Sequence, residues 1–88
     1  MSYKVVFASR AVKDLRSIPR KSQEQILEKA EALSENPYPV GSLKLKGVKE
    51  ELWRIRIGNY RVLYAVDDSI EIVDILSLIH ISEPTRPY

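Results

Sequence analysis

A chain of 88 residues has room for one domain around one modest core. Its 44% hydrophobic and 30% charged residues fit a globular protein; no apolar run approaches a membrane span, and the N-terminus MSYKVVFASRAVKDL carries no basic-then-apolar leader, so no membrane association and a cytoplasmic location are expected. The absence of cysteine excludes disulfides and thiolate metal ligands, no metal or cofactor is expected, and a net charge of +2 says little about partners until its distribution along the chain is known.

Taken in order, YKVVFA at residues 3–8 is β-branched and aromatic and too short for a stable helix, which predicts a strand. The period then changes. Ala11, Leu15 and Ile18 recur at helical spacing behind Ser9 as a prospective N-cap, with Arg10, Lys13, Asp14 and Arg16 facing out. Pro19 ends that helix and suits the start of a second, whose apolar stripe is Ile26, Leu27, Ala30 and Leu33 and which Asn36-Pro37 stops. Two helices joined at a proline form a hairpin whose apolar faces need a surface to cover.

Residues 36–47, NPYPVGSLKLKG, contain two prolines and two glycines and read as a loop with a short extended piece at Leu43–Leu45. From Glu51 the pattern alternates: ELWRIRI, a Gly58-Asn59 turn, YRVLYAV, an Asp67-Asp68 turn, then SIEIVDI. This predicts a three-stranded antiparallel meander and an α+β domain of order β-α-α-β-β-β.

A two-residue turn at Gly58-Asn59 sets Ile57 opposite Tyr60 and fixes every other pair. Trp53, Ile55, Ile57, Tyr60, Val62 and Tyr64 then share one face, which the helices must cover. Arg54, Arg56 and Arg61 share the other, with Arg56 directly opposite Arg61, a like-charge pair costing up to about 1 kcal/mol. Asp74 would offset it if Asp67-Asp68 were also a two-residue turn; otherwise the face awaits an anion. Charge is uneven in the same region: residues 44–61 carry +4 and residues 62–75 carry −4. Alternating bases on a sheet can be no more than a solvated face. Every base on this hairpin is arginine, however, the side chain suited to bidentate phosphate contacts, and Lys44 and Lys46 add charge in the preceding loop.

These segments resemble the RelE/ParE family of type II toxin–antitoxin toxins over residues 1–75: YKVVFASRAVKDLRSIPRKSQEQI for the opening strand and helical hairpin, LKLKG for the basic loop, and LWRIRIGNYRVLYAVDDSIEIVDI for the meander. The resemblance implies a toxin neutralised by a cognate antitoxin. In the RelE branch the activity is ribosome-dependent mRNA cleavage, so the partners are the ribosome and mRNA; in the ParE branch it is inhibition of DNA gyrase without nuclease chemistry. It further implies that Arg54, Arg56 and Arg61 stand at the family's catalytic-face bases, where the first two are often lysines, and that Lys44 and Lys46 match an RNA-contacting loop. RNA cleavage of this kind attacks the adjacent phosphate with the ribose 2′-OH and needs a base, an acid and positive charge. Arginine supplies the charge well and proton transfer poorly.

The resemblance breaks after Ile75, where RelE-like chains carry a His-Arg pair and a later tyrosine. This chain continues LSLIHISEPTRPY, in which His80 is out of register with the family position and is not followed by arginine. LSLIHISEPTR is also the translation of a transposase sequencing adaptor. Residues 76–88 are accordingly read as a non-native tail, in which His80, Arg86 and Tyr88 are given no role, Leu76–Ile79 prolong the last strand, and Glu83–Tyr88 are mobile. The leading expectation is an mRNA endonuclease toxin, inactive or poor in this form; the alternatives are a gyrase inhibitor and a nontoxic remnant that binds its antitoxin.

Overall fold

The computed structural model describes residues 2–45 and 52–80. The elements are β1 (Lys4–Phe7), α1 (Ser9–Arg16), α2 (Arg20–Glu35), β2 (Leu43–Lys44), β3 (Leu52–Ile57), β4 (Tyr60–Asp67) and β5 (Ile72–His80). The strands form a single sheet of order β1-β5-β4-β3-β2, in which β1 runs parallel to β5 and all other neighbours are antiparallel. The class is α+β, as expected, and the meander is flanked by β1 on one side and the short β2 on the other.

The helical hairpin is closed by side chains at its corner. Ser9 is the first residue of α1 rather than its cap; Ala8 takes that place without a side-chain hydrogen bond. At the other end of α1 the Ser17 hydroxyl and amide both donate to the Asp14 carbonyl, and Gln23 Nε2, in the first turn of α2, donates to the carbonyls of Leu15 at 2.8 Å and Ile18 at 3.2 Å. Carbonyls orphaned by the end of α1 are thereby satisfied from α2. Pro19 precedes Arg20 as the cap residue of α2, which Asn36 ends by leaving helical geometry.

Both helices cover one face of the sheet. Ala11, Ile26 and Leu33 meet Ile57, Tyr60, Val62, Tyr64, Val66, Val73, Ile75 and Leu78 in the core, and Leu15, Ile18, Trp53 and Ile55 pack on it half-buried. Leu27, counted in the apolar stripe of α2, is 46% exposed beside that core.

The β3–β4 hairpin has the expected register, Ile57 opposite Tyr60 through Trp53 opposite Tyr64, with Gly58 at φ +60° in the turn. The β4–β5 connection does not. The strands part after Asp67 and Ile72, leaving 68–71 as a wider turn in which Asp67 Oδ1 accepts from the Ser69 amide and hydroxyl and Glu71 takes φ +54°. An aspartate that bonds its own following backbone competes with a tight two-residue turn. Asp74 consequently lies opposite Ala65, and Ile79 stands opposite Arg61 in its place.

A bulge between Tyr64 and Leu63 adds a second correction: Tyr64 pairs with Ile75, while Leu63 pairs with Ser77. The extra residue resets the alternation, so Val73, Ile75 and Leu78 all reach the core although Ile75 and Leu78 are three positions apart. The last strand thus extends beyond Ile75 to His80, with Leu78 only 7% exposed. Glu83–Tyr88 lie outside the described residues.

Candidate nucleic-acid interface

The sheet face turned away from the helices carries the arginines. Arg54 and Arg56 project from β3 and Arg61 from β4, with Arg54 opposite Leu63 and Arg56 opposite Arg61. Together with Gly41, Leu43 and Ile55 they line a hollow of about 150 Å³. Arg54 is half-buried in it; Arg56 and Arg61 are exposed. Arg56 Nε donates to the Gly58 carbonyl at 3.2 Å, which bends that side chain along its own turn.

Among the described residues the ion pairs are Arg10–Asp14 and Arg20–Glu24, both on helices, so no described carboxylate neutralises the three arginines. With Asp74 displaced by the wider turn, no described carboxylate offsets the cost of facing Arg56 with Arg61. A larger hollow of about 320 Å³ lies between β1 and α2, but its lining of Val5, Phe7, Leu27, Ala30, Glu28 and Glu31 has the wrong sign for a phosphate. Size does not decide between them; charge does.

Of the loop lysines, Lys44 is opposite Trp53 and Leu43 is opposite Arg54. Leu43, not Lys44, therefore shares the arginine face, and Lys44 emerges at the sheet edge on the side of Trp53. Lys46 lies outside the described residues. His80 pairs with Tyr60 on the helix side, ring centroids 5.0 Å apart, and does not turn toward the arginines. Among the described residues no group of three or more His, Asp or Glu side chains is placed to hold a metal ion.

Pattern reading missed the wall of the hollow. Residues 36–42 are fastened at several points: Tyr64 OH donates to the Pro37 carbonyl at 2.9 Å, the Tyr38 ring packs on Trp53 at 4.8 Å, and Tyr38 OH bonds the Asp68 carboxylate, which also accepts from Tyr3 OH at 2.7 Å. That hydrogen bond to Asp68 is the main reason the Tyr3 phenol is held above its usual range; burial does the same to Tyr64. The Ser42 amide and hydroxyl close the segment on the Pro39 carbonyl. Trp53 Nε1 is buried without a hydrogen-bond partner among the described residues. The prolines and glycines of residues 36–47 signalled a loop, but not where it would sit.

The family described as the ParE toxin of the type II toxin-antitoxin system, parDE, matches residues 5–84. The chain belongs to the RelE/ParE toxin family. The toxin RelE of Mycobacterium tuberculosis is 34% identical over 87 residues, covering 98% of this chain and 86% of the relative. RelE1 of Methanocaldococcus jannaschii is 36% identical over 77 residues, covering 83% and 86%. Among solved structures, the archaeal RelE-RelB complex from Pyrococcus horikoshii OT3 includes a chain that superimposes with a TM-score of 0.84 at 32% identity, covering 96% of this chain and all of that one. The isolated Escherichia coli RelE toxin does so with a TM-score of 0.80 at 26% identity, covering 94% and 88%. The RelE/ParE expectation drawn from the meander thus holds for the family and for the fold.

Proposed function

We propose that this toxin acts in the manner implied for RelE: on mRNA at the ribosome, as an endoribonuclease whose phosphate site is Arg54, Arg56 and Arg61. The observation that carries the reading is the convergence of three arginines, with no described carboxylate partner, on one hollow of the open sheet face. The naming of the relatives as RelE favours it over gyrase inhibition.

The scissile phosphate sits between the β3 and β4 arginines. As the ribose 2′-oxygen attacks phosphorus and the 5′-oxygen leaves, negative charge gathers on the non-bridging oxygens, and fixed guanidinium forks stabilise it without exchanging protons. Lys44, at the sheet edge, and Lys46 contact the flanking RNA strand. A cognate antitoxin restrains the toxin, as the RelE-RelB complexes of relatives suggest, and both act in the cytoplasm.

The test is RNA binding by the chain and by an R54Q/R56Q/R61Q variant, with ribosome-dependent cleavage of a defined mRNA compared in both after residues 76–88 are replaced by the corresponding segment of an intact relative. Loss of both in the folded variant supports the proposal. Binding unaffected by the triple change overturns it, and gyrase inhibition by the unaltered chain would move it to the ParE reading.

A further inference from the structure

The arginine hollow has one apolar wall, and charge alone does not explain it. Leu43 is 54% exposed on the arginine face, in direct cross-strand register with Arg54. Next to it Gly41 adopts φ +100° with nothing among the described residues within 4 Å of where a Cβ would stand, so the rim beside Leu43 is left low. Nor is Leu43 exposed because its segment is loose. The Leu45 amide is bonded to the Leu52 carbonyl at 2.9 Å on one side, and the Tyr64, Tyr38 and Ser42 contacts fasten residues 37–42 on the other.

We propose that Leu43 is a base-contacting residue: it packs against the nucleobase of the ribonucleotide whose phosphate is held by Arg54, Arg56 and Arg61. Residues directly opposite on antiparallel strands have Cβ atoms about 5 Å apart, on the scale of the ribose that separates phosphate from base. Leu43 lines the same hollow as Arg54, Arg56 and Arg61, so a ligand seated there meets one apolar and three cationic side chains, which matches the two chemically distinct ends of a single nucleotide. A phosphate alone would use the arginines and leave Leu43 in water. An aliphatic side chain has no hydrogen-bonding groups with which to read a base edge, so it adds affinity for any base, as stacking surfaces do, without selecting a sequence. The inference rests on the RNA-phosphate reading of the same site and names the second group that site recognises.

The experiment measures binding of a short single-stranded RNA and of the same oligonucleotide with one abasic ribose, by fluorescence anisotropy at two salt concentrations. It uses the unaltered chain, Leu43→Ala, Leu43→Met and R54Q/R56Q/R61Q, so catalysis is not required. The unaltered chain is expected to prefer the base-containing RNA by about fivefold, or about 1 kcal/mol. Leu43→Ala should lose that preference while keeping the salt dependence, and Leu43→Met should retain it. A preference that survives Leu43→Ala, or salt-dependent binding with no preference in the unaltered chain, overturns the role of Leu43 and leaves the phosphate site standing. Binding that ignores both salt and the triple arginine change overturns the phosphate site and this inference together.

Discussion

Trp53 illustrates how one residue can be placed correctly in a pattern and still behave differently from a simple core residue. It lies on the predicted face, but only half-buried, with Tyr38 over its ring and an indole N–H that is buried without an acceptor among the described residues. Trp53→Ala should cost about 3 kcal/mol, near the lower end for a large aromatic, measured by urea unfolding. Trp53→Phe should cost far less, because it keeps a ring for Tyr38 and removes the unpaired donor. Equal losses in the two variants would show that the indole N–H finds a partner in solution. Tyr64 is the complementary case: buried, hydrogen-bonded to Pro37, and raised in pKa by desolvation. A phenol whose folded pKa exceeds its unfolded value of about 10 contributes stability below that pH, and the contribution falls away as pH rises through the folded pKa. Stability should therefore decline above about pH 10, and less steeply in Tyr64→Phe, which forfeits the hydrogen bond at neutral pH. An identical alkaline slope in both proteins would assign the decline to other groups.

Legibility differed from element to element for physical reasons. The β3–β4 hairpin was readable residue by residue, since a Gly-Asn turn leaves only one register that puts Trp53, Ile55 and Ile57 on the same side as Tyr60, Val62 and Tyr64. The next connection was not, because two aspartates are compatible with several turns and the choice fell to a Ser69–Asp67 hydrogen bond. The bulge at Leu63 was equally hidden: it is visible only once Ile75 and Leu78 are both found in the core. The same limit applied to the site. Arginine alternation exposed one side of the hollow, whereas Leu43 joins it only through pairing with a two-residue strand. The end of β5 owes part of its position to α1, since Asp14 Oδ2 accepts from the Leu78 amide at 3.2 Å. Asp14→Ala should cost about 1 kcal/mol and speed hydrogen exchange at Leu78 more than at Val73. Uniform acceleration along β5 would mean that the contact acts on global stability alone.

At the scale of the molecule, the helices occupy one face of the sheet and leave the other to the arginines, so packing and proposed function make separate demands on alternate residues of the same strands. Binding strength and cleavage should therefore separate experimentally. If three guanidiniums each displace a counterion from single-stranded RNA, the slope of log affinity against log salt should lose about 2 in the R54Q/R56Q/R61Q variant, while its unfolding midpoint changes little. Cleavage needs more, because arginine neither takes up nor releases a proton readily, and His80, the one histidine of the chain, lies with Tyr60 on the helix side. We predict that the chain binds RNA and cleaves it poorly, and that replacing residues 76–88 by the corresponding segment of an intact relative raises ribosome-dependent cleavage by at least about tenfold, within the range that positioned acid–base groups supply. Cleavage and growth arrest measured on the two chains side by side would decide it. Equal, high activity in both would place the proton-transfer groups among residues already present and refute the division of labour argued from the two sheet faces.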